Sequence, residues 1–458
     1  MSTSGRVPEA LSATTVVCAG CGAAASPGEP VPFRCPNAGK GGDVDHVMTV
    51  VLDPARLRFP SGDEPNPFLR YRTLSYSYHL ARSHGLSDAD YETIVEQLDR
   101  AVAAVDGHGF TATPFGRRAP LSDHFRFAPT GGVWVKDETN NVSGSHKARH
   151  LMGLLILLAV VERLGLAPRR DGGAPDLAIA SCGNAALAAA VVARAGDRPL
   201  DVFIPTSADP KVVARLEQLG ARLTVCPRED AVPGDPTYHR LQRALRDGAL
   251  PFTCQGSDNG LTIEGGKTLG YEMVSDLVKS GRRLDRLFIQ VGGGALASSC
   301  IQAFQDAVRL GVPVPMPRIH AVQTRGGHPL KRAYDLIARR IGPHAPPVVE
   351  EALRYAAAHR SEFMWPWEEE PKSIAHGILD DETYDWLAVV RGMLTSGGSP
   401  IVVSEETLIE ANTLARTATG INVDHTGSAG LAGLLHLHQH GGIQADESVA
   451  ALFTGVRR

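Results

Sequence analysis

The sequence predicts an α/β protein: a mostly parallel sheet with helices on both faces. Three observations predict it. From residue 133 onward, short apolar strands alternate with longer helical stretches, the pattern of successive βαβ units. Several of those strands run directly into glycine-rich or small polar turns, the place where such sheets bind ligands. Hydrophobic residues make up 43% and charged residues 21%, enough apolar surface for a packed core and ordinary for a globular chain.

Taken in order, residues 1–50 stand apart. They are rich in Gly, Ala and Pro and hold Cys18, Cys21 and Cys35. Cys18-Ala-Gly-Cys21 has zinc-knuckle spacing, and Cys35 opens a second half-knuckle. The position that would complete it is Ala38, so His46 is the nearest substitute ligand. Zinc in a closed site takes four N or S ligands. The segment is therefore either a structural zinc site or a degenerate ribbon that folds without metal. Residues 65–110 read as helical. Ser87 and Asp90 resemble a capping box, and Tyr91, Ile94, Leu98, Val102 and Val105 recur at spacings of three and four. Thr113-Pro114-Phe115 marks a turn. Strands are then expected at 133–135, 177–180, 202–204, 223–226, 287–291, 319–323 and 401–403. Helices are expected at 150–164, 185–195 and around 211–219. The Pro-rich stretch 341–349 and the segment 365–372 read as surface loops.

The charge balance excludes some functions. Lys+Arg 46 against Asp+Glu 50 leaves a net charge of -4, which gives no field for holding a nucleic acid. No apolar run approaches the ~20 residues of a membrane span. The first residues lack the pattern of a secretory signal, and seven scattered cysteines do not make a disulfide scaffold. A reducing, cytoplasmic setting is the expectation.

Four segments carry chemistry. The expected strand 287–291 leads into Gly292, Gly293, Gly294, Ala295 and Leu296. Converging glycine N–H groups at a helix start form an anion cradle suited to a phosphate; a tight turn is the plainer reading. Ser143, Gly144, Ser145 and His146 precede Lys147, which opens an apolar helix. A lysine there faces the positive end of the helix dipole, which favours the neutral, nucleophilic amine. Ser181, Cys182, Gly183 and Asn184 form a third strand-to-helix turn that suits a carboxylate. Asp424 to Gly433 is a polar turn feeding a helix of small residues.

In this order the four segments resemble the fold-type II pyridoxal-phosphate enzymes, and among them threonine synthase. The resemblance spans roughly residues 110–435. Val135-Lys136-Asp137-Glu138 leading to Lys147 matches the cofactor-lysine segment, and Ser181 to Asn184 the asparagine loop. Ile263-Glu264-Gly265-Gly266-Lys267-Thr268 matches a threonine synthase segment, Gly292 to Leu296 the phosphate cradle, and Thr426-Gly427-Ser428-Ala429 the turn facing the pyridine nitrogen. The resemblance implies two open, mostly parallel sheets with helices on both faces, plus the zinc-ribbon-like segment 1–50. It implies a large cofactor domain from 51–175 and 260–458, and a smaller mobile domain from 176–259. It also implies pyridoxal 5'-phosphate, covalently held by Lys147, the catalytic base. Gly292, Gly293, Gly294, Ala295 and Leu296 would hold the cofactor phosphate, Asn184 the ring oxygen and Thr426 the pyridine nitrogen, with Asp424 a lesser competitor. Ser143, Ser145, His146, Arg149, Ser181, Cys182 and Gly183 would surround the amino-acid substrate. Cys18, Cys21, Cys35 and His46 would take a structural zinc. The family is commonly a homodimer.

The sequence also departs from threonine synthase. His146 and Ala148 flank Lys147 where that enzyme usually has Phe and Asp, and His146 is similar to the tryptophan synthase β-chain. The basic residue usual just before Ile263 is missing. O-phosphohomoserine brings a second phosphate that needs cations, so His146, Arg149, Lys211 and Arg228 are the candidates to replace it. Cys182 reads as a small buried residue more than as a reactive thiol. The expected activity is a lyase or synthase that eliminates or replaces a group on an amino-acid side chain. Threonine synthase and a non-catalytic cofactor-binding homologue are the alternatives.

Overall fold

The computed structural model describes residues 13–26, 28–167, 173–228, 234–342 and 346–458. Its first element is the antiparallel pair β1 (Thr14–Cys18) and β2 (Met48–Leu52), in which Cys18 lies opposite Met48. Three helices follow, Pro67–Arg70, Tyr76–Ser83 and Asp88–Asp106. The capping box is present: Ser87 accepts the N–H of Asp90, and Asp90 accepts that of Ser87.

The next strands are β3 (Phe115–Arg117), β4 (Gly132–Asp137), β5 (Leu177–Ala180), β6 (Leu200–Pro205), β7 (Arg222–Cys226) and β8 (Leu250–Pro251). The last four are β9 (Arg286–Gln290), β10 (Arg318–Thr324), β11 (Ser399–Val403) and β12 (Ser448–Phe453). Six of them form one sheet in the order β11-β10-β9-β12-β4-β3; four form a second in the order β7-β6-β5-β8. All neighbours are parallel except β3, which pairs antiparallel to β4 at the edge.

Every residue of β9 and β12 is buried, as strands covered on both faces must be. Alternate residues serve opposite faces. Leu287, Ile289, Ala450 and Leu452 join the core on one side, and Phe288, Val449, Ala451 and Phe453 the core on the other.

The structure corrects several expectations about elements. The strand expected at 287–291 runs Arg286–Gln290. The helices expected from 150 and 185 start at Lys147 and Asn184, because the preceding polar residues already turn into helical geometry. Part of the expected loop 341–349 is a helix, Pro346–Ala358; its residues 343–345 lie outside the described residues. The edge strand β3, the short β8 and the central β12 have no counterpart in the pattern reading.

Helix Lys147–Arg163 and helix Thr262–Ser280 cross with their backbones almost touching. A Cβ on Gly265 would lie 2.0 Å from the carbonyl oxygen of Arg149, and one on Gly153 would lie 2.8 Å from the Cα of Gly265. Only glycine fits such a contact. The segment 263–268 thus has a packing role.

Candidate active site

The C-terminal stretch after β12 organises the centre. It runs antiparallel to the segment before Lys147: Val456 donates to the Gly144 carbonyl at 2.9 Å, and His146 N–H to that of Thr454 at 3.2 Å. On its other side Asp424 N–H donates to the Gly455 carbonyl at 3.0 Å. The lysine segment and the Thr426 turn are therefore stitched to one backbone. Gln290, at the end of β9, adds bonds to the Gly427 carbonyl at 2.9 Å and to Thr454 Oγ1 at 2.5 Å.

Lys147 is the first residue of its helix and is partly exposed. The residues leading to it are buried and under-satisfied. Among the described residues, Ser143 Oγ, Ser145 Oγ and His146 Nε2 have no hydrogen-bond partner, a condition native interiors avoid unless a ligand or water completes it. His146 donates from Nδ1 to the Thr454 carbonyl at 3.2 Å. Burial, then Lys147 and His150, hold its imidazole well below its ordinary range, so it is neutral and Nε2 is a bare acceptor. His150, one turn on, donates from Nδ1 to the Thr262 carbonyl at 2.9 Å and is held down to about 3 by burial and then by Lys147.

Gly294 has φ +96°, a left-handed conformation that favours glycine, and caps the helix Ala295–Arg309. The first N–H groups of that helix, Ala295 and Leu296 among them, have no partner within it. Gly292 and Gly293 admit a strap, residues 375–385, against the turn. Cβ atoms there would meet Asp380 Oδ2 at 2.3 Å and the Tyr384 ring at 2.9 Å. The strap is fastened to the turn. Thr383 donates to the Gly292 carbonyl and Asp385 N–H to that of Gly293, both at 2.9 Å. The Asp380 carboxyl lies against Gly292 and Gly293; burial raises it to about 6, while Lys147 pulls it down.

Asn184 opens the helix Asn184–Ala195 after β5. Its Oδ1 accepts from Arg458, which also donates to the Ser143 carbonyl at 2.5 Å. Ser181 Oγ accepts the Gly183 N–H at 3.4 Å. Burial, then Asp235, push the Cys182 thiol up, which keeps it from being a ready thiolate at neutral pH. Thr426 Oγ1 accepts the Gly377 N–H at 3.0 Å and keeps its own proton to donate. Asp424 Oδ1 accepts the Gly427 N–H at 2.5 Å.

Arg149 is a correction. It was expected at the substrate, but its side chain is 0% exposed and pairs with Glu138 at 2.8 Å and Glu272 at 2.6 Å. Its remaining N–H groups reach Thr268 and Thr113, and Lys136 pairs with Glu272 in the same cluster. Five donors in a fixed fork are all spent on the protein. The cluster pins β4 to the lysine helix and to the helix Thr262–Ser280. The pattern reading missed Asp380, Thr383, Asp385 and Arg458, none of which lies in a periodic or glycine-marked segment.

Away from this centre, Cys18, Cys21, Cys35 and His46 come together, their ligand atoms all within 4.8 Å of one another. On and just after the helix Ala429–Gln439, the His436 and His440 rings lie 4.4 Å apart, tilted by 37°, while His438 donates to the Phe125 carbonyl at 3.0 Å. No helix among the described residues is long and apolar enough to cross a membrane.

Comparison with known proteins settles the family. The model of the pyridoxal-phosphate dependent enzymes matches residues 112–455. The chain belongs to this family. Threonine synthase of Methanosarcina acetivorans is 25% identical over 342 residues, 73% of each chain. A serine dehydratase-like protein of Rattus norvegicus is 28% identical over 235 residues, 50% of this chain and 63% of that one. Among solved structures, diaminopropionate ammonia lyase from Escherichia coli aligns with a TM-score of 0.58 at 16% identity, over 86% of this chain and 91% of that one. The processed form of threonine deaminase isoform 2 from Solanum lycopersicum aligns with a TM-score of 0.56 at 16% identity, over 82% and 92%. These structural likenesses establish the fold.

As a pyridoxal-phosphate dependent enzyme, the chain has residues that fit its cofactor. The orphaned Ser143 Oγ, Ser145 Oγ and His146 Nε2 await partners beside Lys147. The first N–H groups of the helix after the glycine turn, those of Ala295 and Leu296, have no partner within that helix and can take an anionic oxygen.

Proposed function

We propose that this enzyme is a lyase that eliminates a leaving group from the side chain of an unphosphorylated amino acid. The observation that carries the reading is the set of groups around Lys147. Orphaned neutral acceptors and hydroxyls stand beside it, and the acids Asp380 and Asp385 feel its charge. A second phosphate is poorly served there. Arg149 is spent, His146 is neutral, and Arg228 is engaged with Asp381, whose carboxyl burial and then Asp235 push up while Arg228 opposes the rise. Lys211 is exposed on the helix Pro210–Gln218. Arg458 is the cation remaining at the site, on Asn184 and Ser143. One guanidinium suits the substrate α-carboxylate.

Pyridoxal phosphate, when bound, draws electron density from the substrate α-carbon and so eases loss of its proton. Lys147 would hold the cofactor covalently and, once released, take the α-proton on Nζ. Gly292, Gly293, Gly294, Ala295 and Leu296 would bind the phosphate through main-chain N–H groups and the helix dipole. Asn184, its Oδ1 fixed by Arg458, would turn Nδ2 toward the ring oxygen. Thr426 would donate its proton to the pyridine nitrogen, a neutral contact that suits elimination. Ser181, Gly183 and the Cys182 N–H would receive the carboxylate together with Ser143 and Ser145.

The test is a panel of amino acids that includes serine, threonine, 2,3-diaminopropionate and O-phosphohomoserine. Ammonia and a keto acid from an unphosphorylated member support the reading. The threonine synthase relative favours one other reading; inorganic phosphate released from O-phosphohomoserine, with threonine formed, would establish that reading and refute ours.

A further inference from the structure

We propose that Cys18, Cys21, Cys35 and His46 bind a zinc ion that latches the strap 375–385 onto the glycine turn, so that cofactor retention depends on the metal. The inference rests on the reading of that turn as the cofactor's phosphate cradle.

The ligand geometry comes first. Cys18 Sγ lies 3.5 Å from His46 Nδ1, and Cys21 Sγ lies 3.6 Å from Cys35 Sγ. Zn–S bonds of about 2.3 Å and Zn–N bonds of about 2.1 Å at tetrahedral angles separate ligand atoms by roughly 3.5–3.8 Å. The cysteine sulfurs are unbonded to each other. Two of them accept N–H groups: Asn37 N–H donates to Cys35 Sγ at 3.4 Å, and Asn37 Nδ2 to Cys21 Sγ at 3.6 Å. Such donors stabilise thiolates, the form that binds metal. Zinc binding displaces the cysteine protons to solvent and uses neutral His46 through Nδ1.

The ligands sit on two loops, and each loop holds part of the cofactor centre. Beside Cys35, the Phe33 carbonyl accepts the Gly260 N–H at 3.2 Å, and Arg34 pairs with Asp258 at 2.5 Å. A Cβ on Gly260 would lie 2.0 Å from the Met48 carbonyl oxygen. This contact seats the ribbon on the chain just before the helix Thr262–Ser280. Beside His46, Asp45 N–H donates to the Ala357 carbonyl at 2.8 Å, and Asp43 accepts the Ser361 N–H at 2.9 Å. Asp45, 4% exposed, pairs with Arg360 at 3.4 Å, and Arg360 pairs in turn with Glu382. Glu382 adjoins Thr383, whose hydroxyl holds the Gly292 carbonyl. A continuous set of ion pairs and hydrogen bonds therefore joins the His46 loop to the glycine turn. Freed from metal, the 43–47 loop is held by the β1–β2 pair, by the Ala19 N–H on the Val47 carbonyl and by its bonds to residues 357–361. Its hold on Arg360 weakens, and the strap with it.

The experiment uses the purified holoenzyme. Metal content is measured, the metal is stripped with a chelator, and cofactor affinity is read by titration of pyridoxal phosphate against its bound absorbance. We expect one zinc per chain and a lower melting temperature after stripping. We expect roughly tenfold weaker cofactor binding, the scale of a typical coupling between sites, reversed by zinc and not by magnesium. Arg360→Met should keep its zinc and still lose cofactor affinity, with Arg360→Lys restoring part of it. Substoichiometric metal, unchanged affinity after stripping, or unchanged affinity in Arg360→Met would each overturn the proposal. A zinc-loaded chain that binds no pyridoxal phosphate before any stripping would instead refute the cofactor reading on which it rests.

Discussion

Asp385 is 2% exposed, and neither of its side-chain oxygens has a hydrogen-bond partner among the described residues. Burial pushes its carboxyl from the ordinary 3.8 up to about 7, with Asp45 adding to the push and the Gly256 N–H and Lys147 opposing it. The native state therefore binds this proton more tightly than the unfolded chain does. Native stability from this group is intact below about pH 4 and is lost as pH rises toward 7. Three decades at about 1.4 kcal/mol each set a ceiling on the order of 4 kcal/mol, and local relaxation reduces it. Asp385→Asn keeps the shape and never ionises. The variant should match the native chain at pH 4 and exceed it by about 2–4 kcal/mol at pH 8. Urea unfolding at several pH values reads this directly as a midpoint gap that opens between pH 4 and 7. A gap independent of pH, or a variant less stable at pH 8, would refute the reasoning.

Three other perturbations have defined outcomes. Glu272→Gln removes the carboxylate shared by Arg149 and Lys136; Arg149 keeps Glu138, but leaving the buried Lys136 without its carboxylate should lower stability by about 3–5 kcal/mol, seen in the urea midpoint. Gly265→Ala places a methyl 2.0 Å from a backbone oxygen, so the two helices must part; a loss of about 1–3 kcal/mol or more is expected, along with weaker cofactor binding because Lys147 opens one of the helices. Asp380→Asn removes a negative charge from the turn proposed to receive the phosphate. Because burial raises that carboxyl to about 6, native cofactor affinity should decline as pH rises from 5 to 8. The variant should bind more tightly at pH 8 and show a flatter profile, measured by cofactor titration.

Much of the architecture was legible because it is repetitive. β5, β6 and β7 alternate with helices of ordinary length, and burial on both faces leaves continuous apolar runs. The turns were legible because glycine and small polar residues mark places where backbone must approach something. The strap 375–385 was not, since its role depends on hydrogen bonds to Gly292 and Gly293 across about ninety residues of sequence. β12 was missed although Val449 to Phe453 is apolar: it comes last in the chain yet lies between β4 and β9, an order no local pattern encodes. Arg149 looked like a substrate cation because its motif sits beside the lysine. The helix turns it away from the site and into a buried ion-pair cluster. The cysteine spacing and the substitute ligand His46 were both readable; the β1–β2 pairing that helps bring the two loops together was not, because it joins segments about thirty residues apart.

The central claim is that Lys147 is the covalent anchor of the cofactor. Reducing the holoenzyme with borohydride and mapping the modified peptide by mass spectrometry tests it most directly. A pyridoxyl group is expected on Lys147 and none in Lys147→Ala. Modification of a different lysine, or a Lys147→Ala protein labelled like the native one, would contradict it.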